Sequence, residues 1–314
     1  MPSRTLIRAS HNETLRRAVT GFRPLRALAG RFVAGTTMDD VVAVARTLAG
    51  SGLLVTLDLL GEDVHDPGQA ATTAQAYLAL LERIEAEGLS PVAEVSVKLS
   101  ALGQGLAAGG VGGAGGAAIA AEFAARICAA AERAGTTLTL DMEDHRTVDA
   151  TLATLADLRI DYPWVGAVLQ SALLRTPADC RALATQGSRV RLVKGAYAEP
   201  ATVAHPQKAD VDQAYRQCLD ILMNGPGYPM IATHDLQMIE AAKSAAAAAG
   251  RSPDSFEFQM LLGIRAAEQV RLAEAGYRVR VYVPYGRDCY PYFMRRLAER
   301  PANVAFLLRS LVTR

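Results

Sequence analysis

The sequence predicts an α/β protein whose parallel strands close into a (βα)8 barrel. Eight short β-branched runs recur along the chain, and the stretches between them are Ala/Leu-rich and long enough for crossover helices. Strand and helix in strict alternation give a parallel sheet. An open, doubly wound sheet is the competing architecture, but no GxGxxG follows the first run, where a dinucleotide fold of that kind carries it.

In chain order, LLVTLDLLGE from residue 53 and VAEVSVKLS from 92 flank the helical TTAQAYLALLERIEAEG. A low-complexity stretch, GQGLAAGGVGGAGGAA at 103–118, reads as a mobile loop near the barrel mouth, and the helical AAEFAARICAAAERAG follows it. TLTLDMED from 137, VGAVLQS from 165, VRLVKGAY from 190 and PMIATHD from 229 supply the next four strands. SAAAAAG at 244–250 is a strong helix former, after which FEFQML from 256 and VRVYVPYG from 279 complete the set.

Composition removes several function classes. The chain of 314 residues is half hydrophobic with a net charge of +1, so nothing in its balance favours nucleic acid. Cys128, Cys180, Cys218 and Cys289 are scattered without CxxC spacing, which suits a reducing cytoplasm and argues against a zinc site. His11, His65, His145, His205 and His234 form no HxH or HExxH pattern, so no metal is expected. Ser171 and Ser188 lack the GxSxG context of a nucleophile elbow. No uninterrupted apolar stretch is long enough to span a bilayer. Residues 1–37 carry seven arginines against one acid, Glu13, and their spaced apolar anchors read as a helical prelude to the barrel. The predicted organisation is an N-terminal helical arm over 1–50 and a barrel over 51–314.

In such a barrel the chemistry lies where the strands end. Those ends carry Asp58 with Glu62, Lys98, Asp141 with Glu143, Gln170, Arg191 with Lys194, His234, Gln259, and Tyr282 with Tyr285. Buried unpaired charge is costly, so polar groups delivered to one end by nearly every strand read as a functional mouth. Lys98, Arg191 and Lys194 could hold an anion there. Near the C-terminus, PYFMRRLAERPAN sets Tyr292, Arg295, Arg296 and Glu299 on one helical face. That face reads either as a solvated surface or as the lid of an anion site. A Schiff-base aldolase or lyase using Lys98 or Lys194 competes with these readings, as does a non-catalytic barrel that binds amino acids or flavin.

VSVKLSA, LDMED, RLVKGAY, IATHD, EFQML, and VPYG followed by YPYFMRRLAERPAN occur in this order, and together they resemble the proline dehydrogenase family. The similarity runs from about residue 51 to the end and fits best the short monofunctional bacterial enzymes. It implies a distorted (βα)8 barrel with N-terminal helices, the last helix lying above the mouth, FAD as cofactor, and oxidation of L-proline to Δ1-pyrroline-5-carboxylate. Hydride would pass from proline C5 to the flavin N5, and electrons onward to a quinone. A functional link to a pyrroline-5-carboxylate dehydrogenase follows from the product. The basic N-terminal arm would suit peripheral contact with anionic lipid at the inner face of the membrane.

The resemblance also implies roles. Arg295 and Arg296 would clamp the substrate carboxylate with Lys98, while Tyr282, Tyr292 and Leu261 would wall the ring. Glu62 would pair with the first of the two arginines as a gate. Asp141 and Arg191 match residues treated as catalytic, Arg191 also serving the flavin electronically. Met142, Gln170, Lys194, Gly195, Ala196, Tyr197, Thr233 and His234 match positions that contact FAD. The chain departs from the family pattern at Ala172, Ala198 and Cys289. Arg295→Lys is expected to weaken substrate binding far more than FAD binding, because a point charge cannot replace a bidentate fork; equal loss of both, in parallel titrations, would remove the assigned role.

Overall fold

The computed structural model describes residues 30–107, 115–288 and 292. The first helix among the described residues, α1 (Met38–Gly50), starts at a capping box: Thr37 Oγ1 accepts from the Asp40 N–H at 3.2 Å, and Asp40 Oδ2 accepts from the Thr37 N–H at 2.9 Å. Alternation then begins with β1 (Leu54–Leu59), α2 (Pro67–Ala86), β2 (Ala93–Val97), a 3-10 turn (Leu99–Leu102) and α3 (Gly116–Arg133). It continues through β3 (Leu138–Leu140), α4 (Val148–Asp161), β4 (Ala167–Gln170), α5 (Thr176–Leu183), β5 (Arg189–Val193) and α6 (Lys208–Asn224). β6 (Tyr228–Ala232), α7 (Leu236–Ala248), β7 (Glu257–Leu261), α8 (Ala266–Glu274) and β8 (Arg278–Tyr285) complete it. All eight predicted strands are present at the predicted places.

The strands lie in the order β3-β2-β1-β8-β7-β6-β5-β4, every pair parallel. The remaining seam, between β3 and β4, is joined just before β4: Leu140 N–H donates to Gly166 O at 2.9 Å, and Gly166 N–H to Leu138 O at 2.8 Å. A Cβ on residue 166 would lie 2.5 Å from Thr139 Oγ1, so glycine lets the two backbones meet. That junction closes the barrel and excludes the open, doubly wound sheet.

Period-two alternation divides each strand between two environments. Val55, Leu57, Val95, Val97, Leu192 and Ile231 point outward into one continuous apolar core with Leu80, Leu81 and Ile84 of α2, Ile127 of α3 and Leu219 of α6. The alternate residues point inward, and many of them are charged. Glu94 is 1% exposed, yet it accepts from Arg189 Nη2 at 2.6 Å, Thr56 Oγ1 at 2.8 Å and Thr137 Oγ1 at 2.9 Å, with Arg191 Nη2 at 3.5 Å. Arg280 lies 3.7 Å from Glu94 and forks onto Glu257 at 2.7 and 3.1 Å. Burial alone would raise the Glu94 carboxyl; Arg280, Arg189 and Arg191 outweigh it and hold the group well below the ordinary carboxylate range.

Of the predicted N-terminal arm, residues 1–29 lie outside the described residues; α1 packs on β1 and β8, and Ala34 N–H donates to Pro284 O at 2.9 Å. The predicted last helix, apart from Tyr292, and residues 108–114 of the Gly/Ala-rich loop also lie outside them. The base of that loop is tied where Gly116 N–H meets Leu106 O at 3.1 Å. No helix among the described residues is long and apolar enough to cross a membrane.

Glu94→Gln leaves two buried guanidiniums, Arg191 and Arg280, and the partly buried Arg189 short of counter-charge. Chemical denaturation at neutral pH is expected to show a loss on the order of 3–5 kcal/mol. Because the folded value lies below the unfolded one, Glu94 stabilises the protein fully above its ordinary value of 4.5 and loses that contribution as pH falls toward the folded value. The variant should therefore lose less stability on acidification than the parent; an equal acid loss in both would contradict the assignment.

Candidate active site

At the C-terminal end of the barrel the inward ladder opens into a cavity of about 460 Å³. Asp141, the first residue past β3, is its focus. Oδ1 accepts from Arg191 Nη1 at 2.6 Å and from Ser96 Oγ at 2.8 Å, and Oδ2 accepts from the Tyr282 hydroxyl at 2.7 Å. β5 places Arg191 in mid-barrel, 3% exposed, where Nε donates to Gln259 Oε1 at 2.6 Å and Nη1 also reaches Ser96 Oγ at 3.0 Å. The guanidinium carbon lies 5.3 Å from the Tyr282 ring centroid, a cation–π distance. Burial, then the charges of Asp141 and Asp58, push the Tyr282 phenol well above its ordinary value, so it stays a donor.

Beside this cluster, the Lys98 ammonium donates to Asp58 Oδ1 at 2.8 Å and lies 3.8 Å from Asp141 Oδ2. Burial opposes its charge, but Asp58 and Asp141 outweigh burial and raise its pKa. Asp58 itself, 1% exposed, is raised by burial against the pull of Lys98. Asp58, Lys98, Asp141, Arg191 and Tyr282 all line the cavity, and Leu261 and Tyr292 complete the wall on this side.

The other side is built by the turns after β3 to β6. Met142, Gln170, Lys194, Gly195, Ala196, Tyr197, Thr233 and His234 line the same cavity. Gly195 has φ +107°, and a Cβ there would meet Gln170 Oε1 at 3.1 Å and Ala172 Cβ at 3.2 Å, so only glycine keeps this turn open and unstrained. Gln170 Nε2 donates to Glu143 O at 2.7 Å. His234 Nε2 accepts from the Leu261 N–H at 2.9 Å, which makes it the acceptor nitrogen of the ring. Lys194 donates to Asp212 Oδ1 at 2.5 Å and Asp235 Oδ2 at 2.8 Å.

The structure thus gathers into one cavity every predicted site residue within the described set except Glu62. Glu62 stands half-buried in the loop after β1 and does not line the cavity; Arg295 and Arg296 lie outside the described residues. Sequence reasoning noted Asp58, Glu143 and Gln259 only as strand-end polar groups and missed Ser96. The signal for Ser96 was its position two residues before Lys98, on the same face of β2. Among the described residues no cluster of His, Cys, Asp or Glu could hold a metal ion. Both lysines of the Schiff-base alternative are tied in ion pairs with carboxylates. A Schiff-base nucleophile needs a free amine, so that reading loses its chemical basis.

A family model described as proline dehydrogenase matches residues 41–309. The chain belongs to the proline dehydrogenase family. Proline dehydrogenase from Deinococcus radiodurans is 43% identical over 287 residues, covering 91% of this chain and 90% of the relative. Proline dehydrogenase 2 from Bacillus subtilis is 38% identical over 287 residues, with 91% of both chains covered. These correspondences fit a short monofunctional type and make the chain an enzyme of this family. The solved proline utilization A (PutA) from Bdellovibrio bacteriovorus, inactivated by N-propargylglycine, matches with a TM-score of 0.80 at 24% identity. It covers 88% of this chain and 33% of that longer protein, and it supports the barrel fold.

Proposed function

We propose that this enzyme oxidises L-proline to Δ1-pyrroline-5-carboxylate with FAD as cofactor and a quinone as electron acceptor. The observation that carries the reading is the Asp141 cluster: a buried carboxylate shared by Arg191, Ser96 and Tyr282, with Lys98 beside it, in the same cavity as the Gly195 turn. Membership of the family supplies the substrate.

The cavity fits a flavin on two counts. Met142, Val168, Val193, Ala232 and Met260 give a flat cofactor apolar walls, and the Gly195 turn presents bare backbone where a Cβ would intrude. Met142, Gln170, Arg191, Lys194, Gly195, Ala196, Tyr197, Thr233 and His234 would hold it. When bound, FAD supplies the two-electron acceptor.

The chain's own residues supply position and charge. Lys98, fixed by Asp58, offers its ammonium to the substrate carboxylate, with Arg295 and Arg296 as the other arm of the clamp. Tyr282 is locked by Asp141 and offers a ring face to the pyrrolidine, while Leu261 and Tyr292 complete the wall on that side. Such fixing is a large part of catalysis when two reactants must meet in one orientation. Arg191 sets a permanent positive charge at the inner wall, held there directly by Asp141, whose other oxygen accepts from Tyr282 and faces Lys98. Glu62 serves as the gate. Transfer to a quinone brings the enzyme to a membrane surface, where the basic segment before residue 38 meets anionic lipid. The product suits onward oxidation by a pyrroline-5-carboxylate dehydrogenase.

An anaerobic single turnover tests the reaction. One equivalent of L-proline mixed with FAD-loaded enzyme should yield one equivalent of a cyclic imine two mass units lighter, which condenses with o-aminobenzaldehyde. Recovery of unchanged proline would refute the proposed reaction.

A further inference from the structure

Glu143 belongs to none of the roles above, and its side chain does not line the cavity. It is nonetheless 7% exposed, and both of its oxygens are used. Oε1 accepts from the Ser100 N–H at 3.1 Å and Oε2 from the Ser100 hydroxyl at 2.5 Å. Ser100, 6% exposed, sits in the 3-10 turn that starts immediately after Lys98, the residue that caps that turn.

Ser100 faces a second way. Its hydroxyl oxygen accepts from the Asp63 N–H at 3.3 Å, and its carbonyl accepts from the Val64 N–H at 3.4 Å. Asp63, next to Glu62, has φ +53°, a left-handed backbone that a non-glycine residue adopts when its surroundings impose it. The Asp63 and Val64 N–H groups, both donating to Ser100, tie the backbone at this point. One carboxylate, through one serine, therefore holds the turn behind Lys98 and the loop behind Glu62. Burial raises the Glu143 carboxyl above its ordinary value, and the two bonds from Ser100 and the charge of Lys98 oppose that rise.

We propose that Glu143 is a positioning residue for the substrate site: through Ser100 it couples the Lys98 turn to the Glu62 loop and sets how tightly the mouth holds a carboxylate ligand. The inference rests on the reading in which Lys98 receives the substrate carboxylate. Losing either bond loosens the turn that starts at Lys98, and hydrogen bonds to charged groups are among the costlier ones to lose. The bond from Gln170 goes to the Glu143 backbone carbonyl, so side-chain substitutions leave the opposite wall of the cavity intact.

The test uses FAD-loaded enzyme and two readouts: steady-state kinetics with L-proline, and calorimetric binding of cyclopentanecarboxylate, the ring carboxylate that lacks the oxidisable amine. Ser100→Ala removes one oxygen and keeps the local charge; Glu143→Gln removes the charge and keeps the shape. Both should raise KM and the Kd of the ring carboxylate about tenfold, while kcat falls less than about threefold and FAD content is retained. In a Lys98→Met background, Ser100→Ala should add less than about twofold, because its effect passes through Lys98. If Lys98→Met weakens binding but Ser100→Ala and Glu143→Gln, folded by thermal melting, leave KM and Kd unchanged, the inference is overturned and the site reading stands. If Lys98→Met itself leaves both unchanged, the site reading fails and the inference with it.

Discussion

The Asp141–Arg191 contact is the interaction on which the mouth depends. A guanidinium in mid-barrel at 3% exposure is tolerable only if its donors are met and its charge is balanced. Asp141 meets it from above at 2.6 Å, Gln259 from the side at 2.6 Å, and Glu94 lies below at 3.5 Å. Glu94 in turn requires Arg189 and Arg280, and Arg280 requires Glu257. The cavity is thus the upper end of a column of alternating charge that fills the barrel, where hydrophobic layers would be the commoner solution. Tyr282 and Lys98 inherit their orientation from the same column, since each meets Asp141 at its top.

Such a column has a functional consequence. Charges already held by hydrogen-bonded neighbours need less reorganisation when substrate charge arrives. The family relationship says what kind of enzyme this is, and the geometry shows one cation held at the mouth by Asp58, one held in mid-barrel by Asp141, and a tyrosine hydroxyl bonded to the same Asp141 carboxylate. The ion pairs at Lys98 and Lys194 remove the Schiff-base alternative for the same physical reason, because a cation held by carboxylates is a poor nucleophile.

Much of this was legible in the residue order. Outward strand positions such as Val55, Leu57, Val95 and Val97 are apolar because helices cover them, and the short β-branched runs they belong to announced all eight strands. The residues at strand ends announced the mouth. The lower part of the column was not read, although Glu94, Arg189, Glu257 and Arg280 show the same period of two. A single charged residue within a strand run gives no hint of which partner crosses the barrel to meet it. Glu94 and Arg189 pair across 95 positions of sequence, and only closure of the sheet brings them together. Ser96 and Ser100 were invisible for a related reason: a serine carries no charge to flag it, and its value lies wholly in what it bridges. Closure at Gly166 was equally hidden, because it depends on the absence of a side chain.

The proposal that the column prepares a flavin site for proline is open to a direct test. The measurement that tests it most directly is the visible absorbance of the FAD-loaded protein during anaerobic addition of L-proline. The account predicts that the flavin bands bleach in proportion to proline added until one equivalent of flavin has been reduced. Bands that remain unchanged in excess proline, on protein that retains its FAD, would contradict it.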